Sequence, residues 1–381
     1  MMNSRERVLE TFEFREPDRV PVWLGASPRF REKAIKHLGL ENDEALAQWV
    51  GDDFRRITAP FAGPDAASPY KNLPPGVTFR SPFGILRHGY EGGQPIAHPL
   101  ENATLDEIHH YAWPDPAWVD VSHLRQDALP YSGAYAILGG EWSPFWHDAI
   151  DLIGMDTLML MMFDAPERVD ALFDHLLDYY AGVSQRIFDE AADLIDIFFI
   201  GNDFGSQTGP LLGDSLFRRF LIPPLKRLID LGHDYGLKVL LHCCGGFAPL
   251  IPAMTEAGVD GLQALQPNCR GMDPAVLKAA FCDHLVMMGA INSQLIIEHA
   301  RRCTPGNAPG AGHHEAGRWL CRLAQPRLRP WPKPRSKMCS RCMRRCASTA
   351  DTLKVSSRPE NLSGTLTCNP TAPFQSATRK W

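Results

Sequence analysis

From about residue 135 the chain alternates between short, wholly apolar runs and longer stretches whose apolar residues recur every three or four positions. The short runs, near 135–138, 194–200, 238–242, 259–265 and 285–291, have the length of buried strands. Between them, Val169, Leu172, Phe173, Leu176, Leu177 and Tyr180 recur at helical spacing behind Pro166, a residue suited to a first helical turn. Further helices are predicted near 145–152, 247–257 and 274–281. Another is expected after Asp214, carrying Leu216, Phe217, Phe220 and Leu221 and interrupted at Pro223–Pro224. The amino-terminal part is less regular. It predicts a helix at 5–12, a turn at Pro17–Asp18, a first strand through Val20, Val22 and Trp23, a helix at 45–50 and a strand at 54–59. Residues 60–130 are rich in Pro, Gly and aromatics and predict irregular excursions with a hairpin around 81–90.

Strands that alternate with helices at these lengths form parallel βαβ units. Seven candidate strands fit an α/β fold of the (β/α)8 TIM-barrel type lacking its last βα unit, ahead of an open doubly wound sheet. No GxGxxG opens a helix and no GxxxxGK[ST] occurs, which argues against dinucleotide and P-loop chemistry.

Composition changes this picture mainly at one end. The 381 residues are 44% hydrophobic and 22% charged, as in globular proteins generally. No apolar run is long enough to span a bilayer, and MMNSRERVLETF has no apolar signal region, so a cytoplasmic protein without membrane contact is expected. The net charge of −5 hides a division. Residues 301–381 hold 16 Lys and Arg against 3 Asp and Glu, a net +13, which leaves −18 on the rest. Six of the ten cysteines also fall after residue 300.

In an α/β barrel, ligands bind at the carboxyl ends of the strands. The run KVLLHCCGG, residues 238–246, brings His242, Cys243 and Cys244 to such an end. His242 and Cys244, spaced i, i+2, point to one side and offer zinc an imidazole nitrogen and a thiolate. The same residues also fit two small core thiols beside a hydrogen-bonded histidine at a strand end. Asp203, in the glycine-rich loop GNDFGSQTGP, is the candidate catalytic or ligand-orienting carboxylate, with Gln207 or Thr208 as hydrogen-bonding neighbours; it equally suits a turn cap. Gln266 and Asn292 follow later strands as candidate substrate-binding amides, or as turn-closing residues. His147–Asp148 and His233–Asp234 read as surface pairs.

Six phrases, PDRVPVW, GNDFGSQTGPLL, FLIPPLKRLID, KVLLHCCGG, GVDGLQALQPNCRGMDP and GAINSQ, together resemble the uroporphyrinogen decarboxylase superfamily over about residues 5–299. That family comprises the heme-pathway decarboxylase and zinc methyltransferases that move methyl groups between corrinoids and thiols. The resemblance implies a single (β/α)8 barrel. The decarboxylase's arginine segment is replaced here by LGASPRFREK, and its conserved tyrosine has no counterpart in SPFWHDAIDL. His242 and Cys244, by contrast, resemble the methyltransferases' zinc pair. The resemblance therefore implies zinc, a corrinoid co-substrate carried by a corrinoid protein, and a small-molecule thiol. Uroporphyrinogen decarboxylation is the alternative, with Asp52 or Asp53 steadying a pyrrole and no cofactor. A non-catalytic corrinoid or tetrapyrrole binder is the third reading.

The resemblance stops near His299. Residues 317–327, read from the second base of suitable codons, yield GGGYVASPSHD, and residues 335–346, read from the third base, yield VENVLAMYEAV. Both are phrases with which the family would close its barrel. The chain is therefore read as a barrel over 1–299 and an out-of-frame, disordered tail over 300–381, which costs it the last strand and the third zinc ligand expected there. A Cys-rich nucleic-acid tail built on Cys339, Cys342 and Cys346 is the competing reading, disfavoured because a second ligand pair and an aromatic platform are lacking.

Overall fold

In the computed structural model, residues 2–64, 78–89 and 93–292 are described. Six strands form one wholly parallel, curled sheet in chain order: β1 (Phe54–Arg56), β2 (Ala136–Gly139), β3 (Ile197–Gly201), β4 (Lys238–His242), β5 (Gly261–Leu265) and β6 (Val286–Gly289). Register runs from Phe54 opposite Ala136 to Gly201 opposite His242 and Gln263 opposite Met288. A parallel sheet whose strands follow one another in sequence, with helices between them, is the α/β barrel arrangement expected above. The tail assigned to 300–381 lies outside the described residues.

Side chains alternate across each strand and build two cores. Ala136, Leu138, Ile197, Phe199 and Leu240 pack with Phe54 on the concave face. Ile137, Phe198, Ile200, Val239, Leu241 and Leu262 face outward into the larger core, beneath the helices. Being buried on both faces explains why these strands read as unbroken apolar runs rather than alternating ones. The longest helix, Pro166–Ala191, lays Val169, Leu172, Phe173, Leu176, Leu177 and Tyr180 onto that outer core.

Two expectations change. Val20, Val22 and Trp23 do not form a ladder strand. The backbone there is fastened by aspartates instead, with Val22 N donating to Asp53 Oδ2 (2.7 Å) and Leu24 N to Asp52 Oδ2 (3.0 Å). The helix after Asp214 is not broken at its prolines. A π-helical turn at Phe217–Leu221 leads directly into Ile222–Asp234, where Pro223 and Pro224 occupy the first turn and need no N–H. The segment LGASPRFREK opens a helix, Pro28–Leu38, capped by Ser27. The predicted hairpin is present as Thr78–Arg80 paired antiparallel with Leu86–His88.

Candidate metal centre

The site is made where two glycine loops meet beyond the ends of β3 and β4. Gly245 has φ +90°, and a Cβ there would overlap the backbone of Gly205; one on Gly205 would come within 2.8 Å of the Cys244 carbonyl. Only glycine permits that approach. Gly246 N then donates to Ser206 O (2.7 Å), which closes one loop on the other. Asp203 is thereby brought to Cys244, whose backbone N–H donates to Asp203 Oδ1 (2.7 Å).

His242 Nε2 lies 3.3 Å from Cys244 Sγ and 3.4 Å from Asp203 Oδ1. The three donor atoms fall within 4.8 Å of one another, on side chains that are half-buried. His242 Nδ1–H donates to Gln263 Oε1, which fixes the ring and leaves Nε2 facing the sulfur. A tetrahedral ion with zinc's bond lengths to nitrogen and sulfur holds those two donors roughly 3.5 Å apart. The observed 3.3 Å is close to that separation, and a nitrogen, sulfur and carboxylate set suits zinc better than a hard cation. The residues present therefore fit the ion.

The electrostatics describe a proton held where a metal fits. Burial works against a charged His242, but Asp203 and Cys244 outweigh it and lift the imidazole to about 10. Burial also penalises the Asp203 carboxylate; the hydrogen bonds from His147 and His242 more than offset this and hold it far below the usual carboxylate range. Cys243 faces the other way, fully buried, with Phe204 N donating to its sulfur (3.4 Å), and burial pushes its thiol well up. It is the core-facing neighbour that the i, i+2 spacing implied.

The remaining sequence candidates separate. Gln266 is at the site as a brace: its Oε1 accepts from Gly245 N (3.1 Å) and from Cys269 Sγ (3.3 Å). The Gln207 side chain is exposed at the turn between Gly205–Ser206 and Gly209–Pro210. Asn292 lies half-buried three residues beyond β6, at the same end of the sheet. Asp53 does not reach the site. It precedes β1 at the opposite, amino end of the sheet, fully buried, with Arg7 (2.7 Å), Arg19 (2.6 Å) and Val22 N (2.7 Å) on its oxygens. Asp52 beside it accepts from Leu24 N and Phe54 N, and burial raises it to about 6. The catalytic role given to Asp53 is corrected on that geometry.

Four residues at this end were not assigned to the site from sequence. His147, assigned to the surface with Asp148, brings Nε2 to 3.5 Å from Asp203 Oδ2, while Asp148 is buried against Tyr180 and Arg87. Trp142 tilts over His242 at 5.3 Å between ring centroids and fills the space a side chain at Gly201 would need. Gln263 holds the imidazole from a strand bulged at Ala264, which has φ +71°. Asn202, fully buried, takes the backbone N–H of Trp146 (3.0 Å) and gives its own side-chain N–H to Ser143 O (3.0 Å), tying the Trp142 loop to the end of β3. The available signal was position: Trp142 and His147 both follow a strand that ends Gly139–Gly140.

Comparison with known proteins gives the following likenesses. A methylcobamide:CoM methyltransferase, MtbA, of Methanosarcina acetivorans is 24% identical over 136 residues. That stretch covers 36% of this chain and 38% of the relative, so the chain spans well under half of the protein it matches. A solved methyltransferase from Methanosarcina mazei shares 18% identity at a TM-score of 0.44, over 77% of this chain and 94% of that one. No helix among the described residues is long and apolar enough to cross a membrane. The family model of uroporphyrinogen decarboxylase (URO-D) matches residues 121–303. That stretch, just under half of the chain, contains His147, Asp203, His242, Cys244, Gln263 and Gln266, and over it the chain is similar to that family.

Proposed function

We propose that the carboxyl-end site holds a zinc ion on His242, Cys244 and Asp203 and serves methyl transfer from a corrinoid to a thiol. The observation that carries this reading is the convergence of His242 Nε2 and Cys244 Sγ, 3.3 Å apart, with Nδ1 already committed to Gln263. Zinc bound there lowers the pKa of a coordinated thiol and makes it nucleophilic near neutral pH. The chain's own residues prepare that chemistry. Gln263 selects the tautomer, Asp203 orients the Cys244 backbone and balances cationic charge, Gln266 holds the glycine loop, and Trp142 walls the imidazole. A corrinoid carried on a partner protein is the proposed methyl donor, in keeping with the relative's name. The decarboxylase alternative loses Asp53, whose oxygens are spent on Arg7, Arg19 and Val22 N.

We also propose that residues from about 300 onward are read out of frame; the family match ends at residue 303. In this chain Asp203 then stands in for a donor that the last strand would supply. The encoded protein is expected to hold metal more weakly, and to turn over more slowly, than a chain with the frame restored. Metal analysis of the purified protein tests the site: one zinc per chain supports it, and zinc at background level equal to that of a His242→Ala variant contradicts it. Resequencing the gene across codons 295–340 tests the frame.

A further inference from the structure

A second pair of imidazoles meets where the irregular excursion crosses the long helix Pro166–Ala191. The short helix Leu105–His109 opens on a capping box, Thr104 with Glu107, and seats Ile108 at full burial. Its last residue, His109, stays exposed beside His175 of the long helix. Nδ1 of His109 and Nε2 of His175 are 3.1 Å apart, although 66 positions separate the residues. Among the described residues neither ring has another hydrogen bond. His175 lies flat on Trp113, with 4.9 Å between ring centres and 10° between planes, and the indole is itself fixed by its N–H donating to Ile108 O (2.8 Å). Burial and the neighbouring His109 hold His175 below the usual imidazole value, against the opposite pull of Asp178 and Asp174. One ring is therefore neutral near pH 7 and held in place, the other is exposed and able to turn, and two carboxylates add a field that favours a cation.

From this geometry we propose that His109 and His175 form a second metal site, which takes a divalent ion of the nickel, copper or zinc class and clips the excursion to the long helix. An ion with bonds of about 2.0–2.1 Å to nitrogen holds two such donors roughly 2.9 Å apart at a right angle and roughly 3.4 Å apart at the tetrahedral angle. The observed 3.1 Å falls between the two. Imidazole suits these ions, and because the pair belongs to no cluster of three donors among the described residues, water fills the remaining positions. The ring centres are 5.4 Å apart, so the two nitrogens face each other almost head-on. On binding, the exposed His109 turns to aim its lone pair at the ion, and the ring that donated in the hydrogen bond carries its proton on the other nitrogen. His175 keeps its stack on Trp113. Two imidazoles hold an ion more weakly than a set that includes a thiolate, so this site fills after the carboxyl-end one, in excess ion, and empties on dialysis.

The test is a nickel(II) titration of the full chain carrying His242→Ala, which removes the carboxyl-end site, read by tryptophan fluorescence and by the urea midpoint. A nickel ion on His175 lies close to the Trp113 ring and quenches its emission. The expected result is saturable quenching and a urea midpoint that rises with nickel, since an ion bound only by the folded chain stabilises it; magnesium(II) is expected to do neither. His109→Ala, added to that chain, is expected to weaken nickel binding by at least the roughly tenfold that loss of an outer-shell partner costs, and to cancel the rise in the midpoint. The metal-free midpoint should stay where it was, because His109 is exposed. His175→Phe, which keeps a ring on Trp113, is expected to act in the same way. Nickel binding that is absent, or that is as tight in both variants as in their parent, overturns the second site. Every chain compared lacks His242, so either result leaves the carboxyl-end reading as it stands.

Discussion

The two ends of the sheet use the same residue types for opposite purposes. At the amino end, Asp52 and Asp53 precede β1, and their oxygens are matched by Arg7, Arg19 and three backbone N–H groups. At the carboxyl end, Asp203, His242 and Cys244 are half-buried and face one another with donor atoms still directed at a common point. An acid saturated by buried cations and amides has little capacity left for a ligand; its removal strands the cations. An imidazole, a thiol and a carboxylate that face one another are placed to give up their protons to a metal ion. Burial and partners, rather than residue type, separate structural acid from functional acid here.

The comparison breaks most visibly at the amino end. Asp53→Ala leaves buried Arg7 with Asp18 as its one carboxylate, takes the acceptor from Arg19 and Val22 N, and is expected to destabilise the fold by about 3–5 kcal/mol in urea unfolding. Metal stoichiometry of the folded fraction should be unchanged. A fully stable Asp53→Ala protein that has lost metal would reverse the roles assigned to the two ends.

At the carboxyl end the first effect is on the metal. His242→Ala is expected to abolish one-equivalent binding, read by metal analysis after dialysis, with a smaller change in the urea midpoint than Asp53→Ala gives. Gly245→Ala links the two quantities, because its φ of +90° and its contact with Gly205 build the site. It should cost about 1–3 kcal/mol in stability and weaken metal binding as Asp203 moves from Cys244. Gln263→Leu removes the partner of Nδ1 and should lower metal affinity about 10–100-fold at nearly constant stability.

A graded effect is that of pH. His242 is lifted to about 10 in the metal-free site, so below that pH the imidazole is protonated and a metal must displace the proton. Affinity therefore rises with pH between 6 and 9, by about tenfold per unit for each proton released, in competition titrations with a chelator of known pH dependence. An affinity flat across that range would mean that the proton on His242 is not the competitor.

Much of this was legible before the fold was known, for identifiable reasons. The runs in β3 and β4 are buried on both faces, so their apolar character is continuous and their ends are marked by Gly201 and Gly245. His242 and Cys244 were legible because strand periodicity alone puts i and i+2 on one side. Asp53 was misread because an acid pair beside a strand looks the same whether arginines cover it or a substrate does; the covering residues Arg7 and Arg19 lie 46 and 34 positions away. His147 was missed because only the folding of the Gly201–Gly205 loop brings Asp203 to it. Val20–Trp23 passed for a ladder strand because its apolar residues carry no sign that aspartate side chains hold the segment.

The central claim is that His242 and Cys244 donate to one metal ion at the carboxyl end of the sheet. Cobalt(II) titration of the metal-free protein tests it most directly. The account predicts a single equivalent bound, with a sulfur-to-cobalt charge-transfer band in the near ultraviolet and tetrahedral visible bands, the former lost in Cys244→Ser and both lost in His242→Ala. Cobalt bound without a sulfur band, or a sulfur band that persists in Cys244→Ser, would contradict it.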